Sequence, residues 1–438
     1  MKKIIWLVCL IPVFIFAQQK QSIVLNMDDA VKLAIEKNAE LKIASMDIQK
    51  AEEKLREARS GLFPQLNASG QYQRYIDLPV IFMPKGSPFG TTLKIGSDNS
   101  YSATLSLSLP LFSYSLYQGI SLASEALDIS KESYKSVKNK VVTDVKKAFL
   151  AVILTRETKD VMAQSLKNAE DNFENIKKLR QGGTLSDYDV LRAEVQVENL
   201  KPTVLQMENN YKLSLEALKV AIGLDASQEI DVVGDMEFIE PYILPDEKSV
   251  LEEMLKNNPQ LAILDRQVTI NDKTISLEKS AHLPTLAAFG TYQYQAQAND
   301  FKFSDYNWVK TSLIGLQLQI PIFSGFKVDA KVNQAEINLN QSIEQKRNYT
   351  EAFKTQTLSI LYRIQQAVKR IEGQSKTVKQ ATEGYEIAKR RLLNNLATQL
   401  EVNDAELALR QAKLNRLQAI YDLKIAEYDL DNVLGRIK

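Results

Sequence analysis

The chain is written twice, and this duplication constrains its fold more than any other feature. KNAELKIASMDIQKAEEKLREARSGLFPQLNASGQY, ending at Tyr72, recurs as NNPQLAILDRQVTINDKTISLEKSAHLPTLAAFGTY, ending at Tyr292. Leu41, Ser60, Pro64, Gly70 and Tyr72 match Leu261, Ser280, Pro284, Gly290 and Tyr292 at one constant offset. LPLFS at 109–113 is answered by IPIFS at 320–324, Ala193-Glu194 by Ala405-Glu406, and AIG at 221–223 by VLG at 433–435. Each copy therefore follows one plan: helix, strand, loop, strand, long helix, turn, helix.

The helices are long. The first spans about Met27 to Ser60, closing near Gly61 and before Pro64, both stop signals. The roughly 65 residues between Phe112 and Arg180 hold no proline, and at 1.5 Å per residue they would reach on the order of 100 Å as one helix. Ile120, Leu127, Tyr134, Val141 and Ala148 recur every seven residues, a coiled-coil seam. The returning helix carries Val190, Val197, Val204, Tyr211 and Leu218 on one seam and Ala193, Leu200, Met207, Ser214 and Ala221 on the other. In the second copy Val402, Leu409, Leu423 and Leu430 share a seam with Arg416, beside Ala405, Ala412, Ala419, Ala426 and Val433. Consecutive alanines at one seam position favour close helix packing, because large knobs would hold the backbones apart. Pro202 falls off both seams, so a local bend on an outer face is expected.

The strands are read over about Leu66–Ile76, Tyr101–Leu109, Leu286–Ala296 and Val309–Ile320, with Pro110 and Pro321 ending the second strand of each pair. In YSATLSLSLPLF at 101–112 apolar residues alternate with Ser and Thr; Leu286, Ala288, Tyr292 and Tyr294 oppose Thr291, Gln293 and Gln295; Ile314, Leu316, Leu318 and Ile320 oppose Gly315, Gln317 and Gln319. Alternation alone fits a small soluble sheet as well as a bilayer-facing one. Counting separates the two: a closed barrel needs about eight strands, and an open sheet in lipid would leave its edges unpaired. A membrane role therefore requires chains that pool their strands, eight from a dimer or twelve from a trimer.

Lys2 and Lys3 ahead of the apolar run Ile4–Phe16, with a small residue at Ala17, read as a signal peptide over 1–17. The one cysteine, Cys9, lies inside it behind Trp6 and Val8, a poor lipid-attachment context, so an exported chain holds no disulfide and no cysteine metal site. A net charge of +1 gives no electrostatic footprint for nucleic acid, and no later apolar run reaches the roughly 18 residues of a membrane-spanning helix. The lone histidine, His282, has no partner His or Cys with which to share a metal and reads as an ordinary interface residue. No nucleophile elbow, phosphate loop or zinc spacing is present, so enzymatic activity is not expected.

Signal peptide, duplication, paired strands and two long helical hairpins together resemble the TolC-like outer-membrane efflux channels, from about Leu25 to Ile437. The marks that carry the resemblance are FPQL at 63–66, LPTL at 283–286, LPLF at 109–112, IPIF at 320–323 and the turn GGTLSDYDVLRA at 182–193. The resemblance implies a mainly α fold with membrane β: a homotrimer whose twelve-stranded outer-membrane barrel, four strands per chain, continues into a twelve-helix tube in the periplasm. It implies a passive exit duct of a tripartite efflux or type I secretion system, without cofactor. Its partners would be outer-membrane lipid, a periplasmic adaptor (membrane fusion protein) and an inner-membrane RND or ABC transporter. The chain then divides into a signal peptide (1–17), a first repeat (18–223), an equatorial connector (224–248) and a second repeat (249–438). By the same resemblance Gly182, Gly183, Thr184, Leu185, Ala397 and Thr398 are candidate adaptor contacts at the hairpin tips, although the glycines also serve simply to make the turn. Glu401 and Asp404, three apart on one helical face, would form carboxylate rings that narrow a trimeric tube, with Asp189 and Arg192 at the equivalent positions of the first copy. The second turn, LNNLATQLEVNDA at 393–405, lacks the glycine often found there, which leaves the shape of that tip open. The alternative is a periplasmic coiled-coil adaptor or scaffold without a barrel, a class that usually shows one hairpin and soluble β modules.

Overall fold

The computed structural model of the chain describes residues 23–394 and 396–436; the expected signal peptide and Cys9 lie outside them. In chain order the elements are β1 (Ile23–Leu25), α1 (Met27–Lys37), α2 (Ala39–Ser60), β2 (Gln65–Arg74), β3 (Val80–Phe82), β4 (Thr92–Lys94), β5 (Asn99–Phe112), α3 (Tyr114–Gln181), α4 (Asp187–Ile222), β6 (Ile230–Val232), α5 (Glu247–Asn257), α6 (Pro259–Lys279), β7 (Thr285–Ala298), β8 (Val309–Gln319), α7 (Lys327–Leu393) and α8 (Gln399–Val433). Free of proline, α3 and α7 run unbroken for 68 and 67 residues. Among the described residues no helix is long and apolar enough to cross a membrane.

The single helix read over Met27–Ser60 is two helices. Asn38 turns extended (ψ 132°) between α1 and α2, and its Oδ1 accepts from the N–H groups of Glu40 and Leu41 at 2.8 and 3.3 Å, capping α2. A short polar side chain that can cap competes with continuation of the helix, and here the cap wins. Asn258 repeats the break between α5 and α6 (ψ 118°), ahead of Pro259, whose ring disfavours helix at the residue before it.

The contacts sort the chain into two compact units, which are described separately. One holds Ile43–Ser136 and Pro259–Ala352. Its sheet has the order β2-β5-β7-β8, antiparallel throughout. Pro110 does not end its strand as expected: β5 continues to Phe112 through an irregularity between the two residues. Pairing with β2 has already stopped at Ser108, so the proline sits where one side of the ladder is free. The turn-rich loop after β2 contains a small hairpin, β3 with β4, that alternation did not reveal. Ala51 and Leu55 of α2 bury against Leu127 of α3, and Glu125 ties α3 to α6 by bonds to Lys273 and Arg266 (2.7 and 3.1 Å).

The other unit holds the described part of Met1–Lys42, with Val137–Asn258 and Phe353–Lys438. The heptad seams are its core: Ala193, Val197 and Leu200 on α4, and Val402, Leu409, Ala412, Ala419, Leu423 and Ala426 on α8, are all buried. Arg416, the polar interruption of that seam, donates from Nε to Ser375 Oγ of α7 at 3.2 Å. Pro202 lies exposed inside α4, which passes through it. β1 and β6 form a short parallel pair, and the Arg156 guanidinium donates to the carbonyls of Val232 (3.0 Å) and Gly234 (2.5 Å) beside it.

Candidate functional site

Two regions have the chemistry a duct needs: the strand wall and the hairpin turns. In an antiparallel ladder, paired residues share a face, and the register sorts this sheet cleanly. Leu66, Leu107, Gly290 and Ile314 form one row of the apolar face; Ala68, Leu105 and Tyr292 form the next, ending on Ser312. On the opposite face Ser69, Thr104, Gln293 and Thr311 share a row, and Gln71, Ser102 and Gln295 share another. No residue of β2, β5, β7 or β8 on this second face carries a charge. Away from the loop end the apolar face is largely bare, with Leu66 63% and Ile314 92% exposed. Burying such a surface at about 25 cal/mol per Å² favours a nonaqueous neighbour.

Aromatic side chains gather at the loop end of the sheet. Tyr72 stacks on Tyr101 (5.0 Å between centroids), Phe303 meets Tyr101 edge-on (5.2 Å), and Trp308 stacks on Tyr294 (5.9 Å). Amphipathic rings at the ends of an apolar band are the girdle expected where a barrel leaves lipid. Among the described residues the two outer strands, β2 and β8, each have one partner, leaving one hydrogen-bonding edge apiece unmatched.

The two turns close alike. In the first, Thr184 N–H reaches back to Leu179 O (3.1 Å) while Gly183 takes the left-handed conformation (φ 76°). In the second, which lacks the glycine, Leu396 N–H reaches Arg391 O (2.8 Å) and the Asn394 side chain adds a bond to Arg390 O (3.0 Å). A capping box starts each returning helix: Ser186 with Asp189, and Thr398 with Glu401. Ser-x-x-Asp and Thr-x-x-Glu are sequence signatures of helix starts, so this structural duty was readable in advance.

Those boxes define where the candidate gate residues stand. The Asp189 carboxyl lies below the ordinary aspartate value because the Ser186 hydroxyl and backbone N–H donate to it, with Arg192 contributing nearby positive charge. Glu401 accepts from the Thr398 N–H and hydroxyl (3.2 Å each) and has Arg391 Nη1 3.8 Å away. Asp404 is exposed, and its side chain has no hydrogen bond or ion pair among the described residues. Arg192 is half-buried. Gly182, Gly183, Thr184 and Thr398 are exposed, with Leu185 and Ala397 half-buried; next to them Tyr188 is 70% and Leu396 66% exposed. His282 lies 3.9 Å from Asp329, and among the described residues no cluster of His, Cys, Asp and Glu could hold a metal.

The family model described as outer membrane efflux protein matches residues 30–224 and 250–436. The chain is 23% identical over 420 residues to an outer membrane protein TolC of Salmonella enteritidis, covering 91% of this chain and 80% of that protein. It is 20% identical to the alkaline protease secretion protein AprF of Pseudomonas aeruginosa, covering 93% and 84%. Its fold superposes on the CmeC outer membrane channel of Campylobacter jejuni with a TM-score of 0.74 at 16% identity, covering 93% of this chain and 85% of that one.

Proposed function

The chain belongs to the outer membrane efflux protein family, as an outer-membrane exit duct for efflux or type I secretion, and we propose that it works as a homotrimer. One observation carries the assembly, while the count of three follows the resemblance to TolC-like channels: four strands, sorted into an apolar and an uncharged polar face, end among the described residues in unmatched edges at β2 and β8. Lipid provides no hydrogen bonds for such edges, so copies must pair β2 of one with β8 of the next until the ring closes. Three copies give twelve strands, apolar outwards and polar towards the lumen. The α3/α4 and α7/α8 hairpins of the three copies then line the periplasmic tube.

The duct itself hydrolyses nothing. Cargo is driven by an inner-membrane RND or ABC transporter through a periplasmic adaptor, which docks on the tips around Gly182–Leu185 and Ala397–Thr398. The exposed Tyr188 and Leu396 beside those turns offer the adaptor an apolar foothold, a use compatible with the turn-making role of Gly183. In the closed state the carboxylates above the second turn ring the narrowest part of the tube, and adaptor binding shifts the hairpins towards an open population. Asp404 is the freer of these acids, since Glu401 is engaged by Thr398 and Arg391.

Native mass measurement of the detergent-extracted protein, with conductance in a planar bilayer, tests the reading. A trimer that conducts is expected; recovery as a single soluble chain in the periplasm overturns it.

A further inference from the structure

On the polar face of β2, β5, β7 and β8 one aromatic side chain stands out, Phe289 of β7. Its neighbours across the ladder are Ser108 on one side and Gly315 on the other. A methyl placed on Gly315 would come 2.9 Å from Phe289 Cζ and 3.0 Å from Cε1, so the ring occupies the space a side chain at 315 would fill. Gly315 is not among the residues with positive φ; it is the missing side chain that the position uses, not backbone freedom. Gly290, on the apolar face, gives a contrast: a methyl there would meet Ile314 at an ordinary 3.6 Å. The rest of the polar face is Gln, Asn, Ser and Thr with a few smaller apolar residues, none of which lies over a glycine in this way.

We propose that Phe289 and Gly315 together set the bore of the barrel: Gly315 is a recess in which the phenyl ring lies flat, holding the one bulky aromatic of the wall out of the cargo's path. This rests on the assignment of the polar face to the lumen. Any side chain at 315 removes the recess, and the ring must rotate off the wall to another staggered position. In a trimer three rings would then project at one level, near the end of the barrel where β7 begins.

The trimer of chains freed of the expected signal peptide, and with it of Trp6, is reconstituted in lipid vesicles and carries one reporter indole per chain when Trp308→Phe is combined with Phe289→Trp. Starting from a ring 37% exposed, adding Gly315→Val is expected to raise quenching by iodide roughly two-fold as the ring swings into water. Gly315→Ala, the milder change, gives a smaller rise. With Phe289 restored, Gly315→Val lowers the size of the largest polyethylene glycol that enters from the loop side, and Phe289→Ala in the same chain returns it. Unchanged quenching and unchanged polymer exclusion in trimeric Gly315→Val and Gly315→Ala overturn the proposal while leaving the duct intact. Quenching of the indole by brominated lipid tails instead of iodide overturns the lumen assignment itself, and with it the barrel described above.

Discussion

Asn258 donates its side-chain amide to the carbonyl of Val433 at 2.8 Å, tying the break between α5 and α6 to the end of the last helix. Asn38 does the same to Ala221 at 2.8 Å in the first copy. One polar side chain in each repeat thus ends a helix and also satisfies a carbonyl at the end of the returning one. Asn258 is buried and Asn38 half-buried, so Asn258→Leu strands a carbonyl that water reaches less easily. It should cost about 1–3 kcal/mol, and Asn38→Leu less. The temperature at which the assembly dissociates reads both; absent shifts would show that the bonds are dispensable, and equal shifts that burial does not set their order.

The strand wall and the helical seams were legible because each rests on a period. Alternation over Tyr101–Leu109 and Leu286–Ala296 foretold which residues share a face, and the register puts Leu105 opposite Tyr292 and Thr104 opposite Gln293. What carried no period stayed hidden. Asn38 lies inside a run of good helix formers, and the second bond its side chain makes, to Ala221 O, reaches a residue far away in sequence. The hairpin of β3 and β4 has three residues per strand, too few to alternate convincingly. At the tips the acids stand out by their charge, whereas the spacing of Ser186 to Asp189 and Thr398 to Glu401 also spells helix starts. The second turn, without the glycine, closes with the same kind of bond as the first, Leu396 N–H to Arg391 O as Thr184 N–H to Leu179 O, a device that composition does not display.

Gly223 ends α4 in the left-handed conformation (φ 85°), and a methyl there would stand 2.8 Å from the Lys37 carbonyl oxygen. Gly183, at the first tip, has a similar φ of 76° but open space around it. The left-handed conformation alone costs a non-glycine residue roughly 1–2 kcal/mol. Gly183→Ala should therefore lose about that much local stability, and Gly223→Ala clearly more, because α1 must also move. Thermal denaturation of the two variants side by side checks the order.

Asp189 supports the first turn of α4 through Ser186, and its carboxyl titrates below the ordinary value of 3.8. A carboxyl whose pKa is depressed by folding contributes stability that is complete above the unfolded value and is lost as the pH falls through the folded one. Hydrogen exchange at the N–H groups of the first tip should hence be insensitive to this group from neutrality down to about pH 4 and show weakening protection below it. Asp189→Asn should remove that acid-side change. Protection that declines identically in both proteins would exclude Asp189 as its source.

Charge and capping can be separated at the second tip. Glu401→Gln keeps a side chain that still completes a capping box, whereas Glu401→Ala removes charge and cap together. Asp404→Asn removes charge from a residue with no described bond to lose. If the acids ring a constriction, trivalent cations should bind chiefly through Asp404, because Arg391 already offsets part of the Glu401 charge. Asp404→Asn should then weaken block by about ten-fold, equivalent to about 1.4 kcal/mol of cation binding. Glu401→Gln should weaken it less, and Glu401→Ala with Asp404→Ala should also raise single-channel conductance as the tip loosens. Block and conductance unchanged in Asp404→Asn and in the double variant would sink the ring and place the constriction elsewhere along the tube.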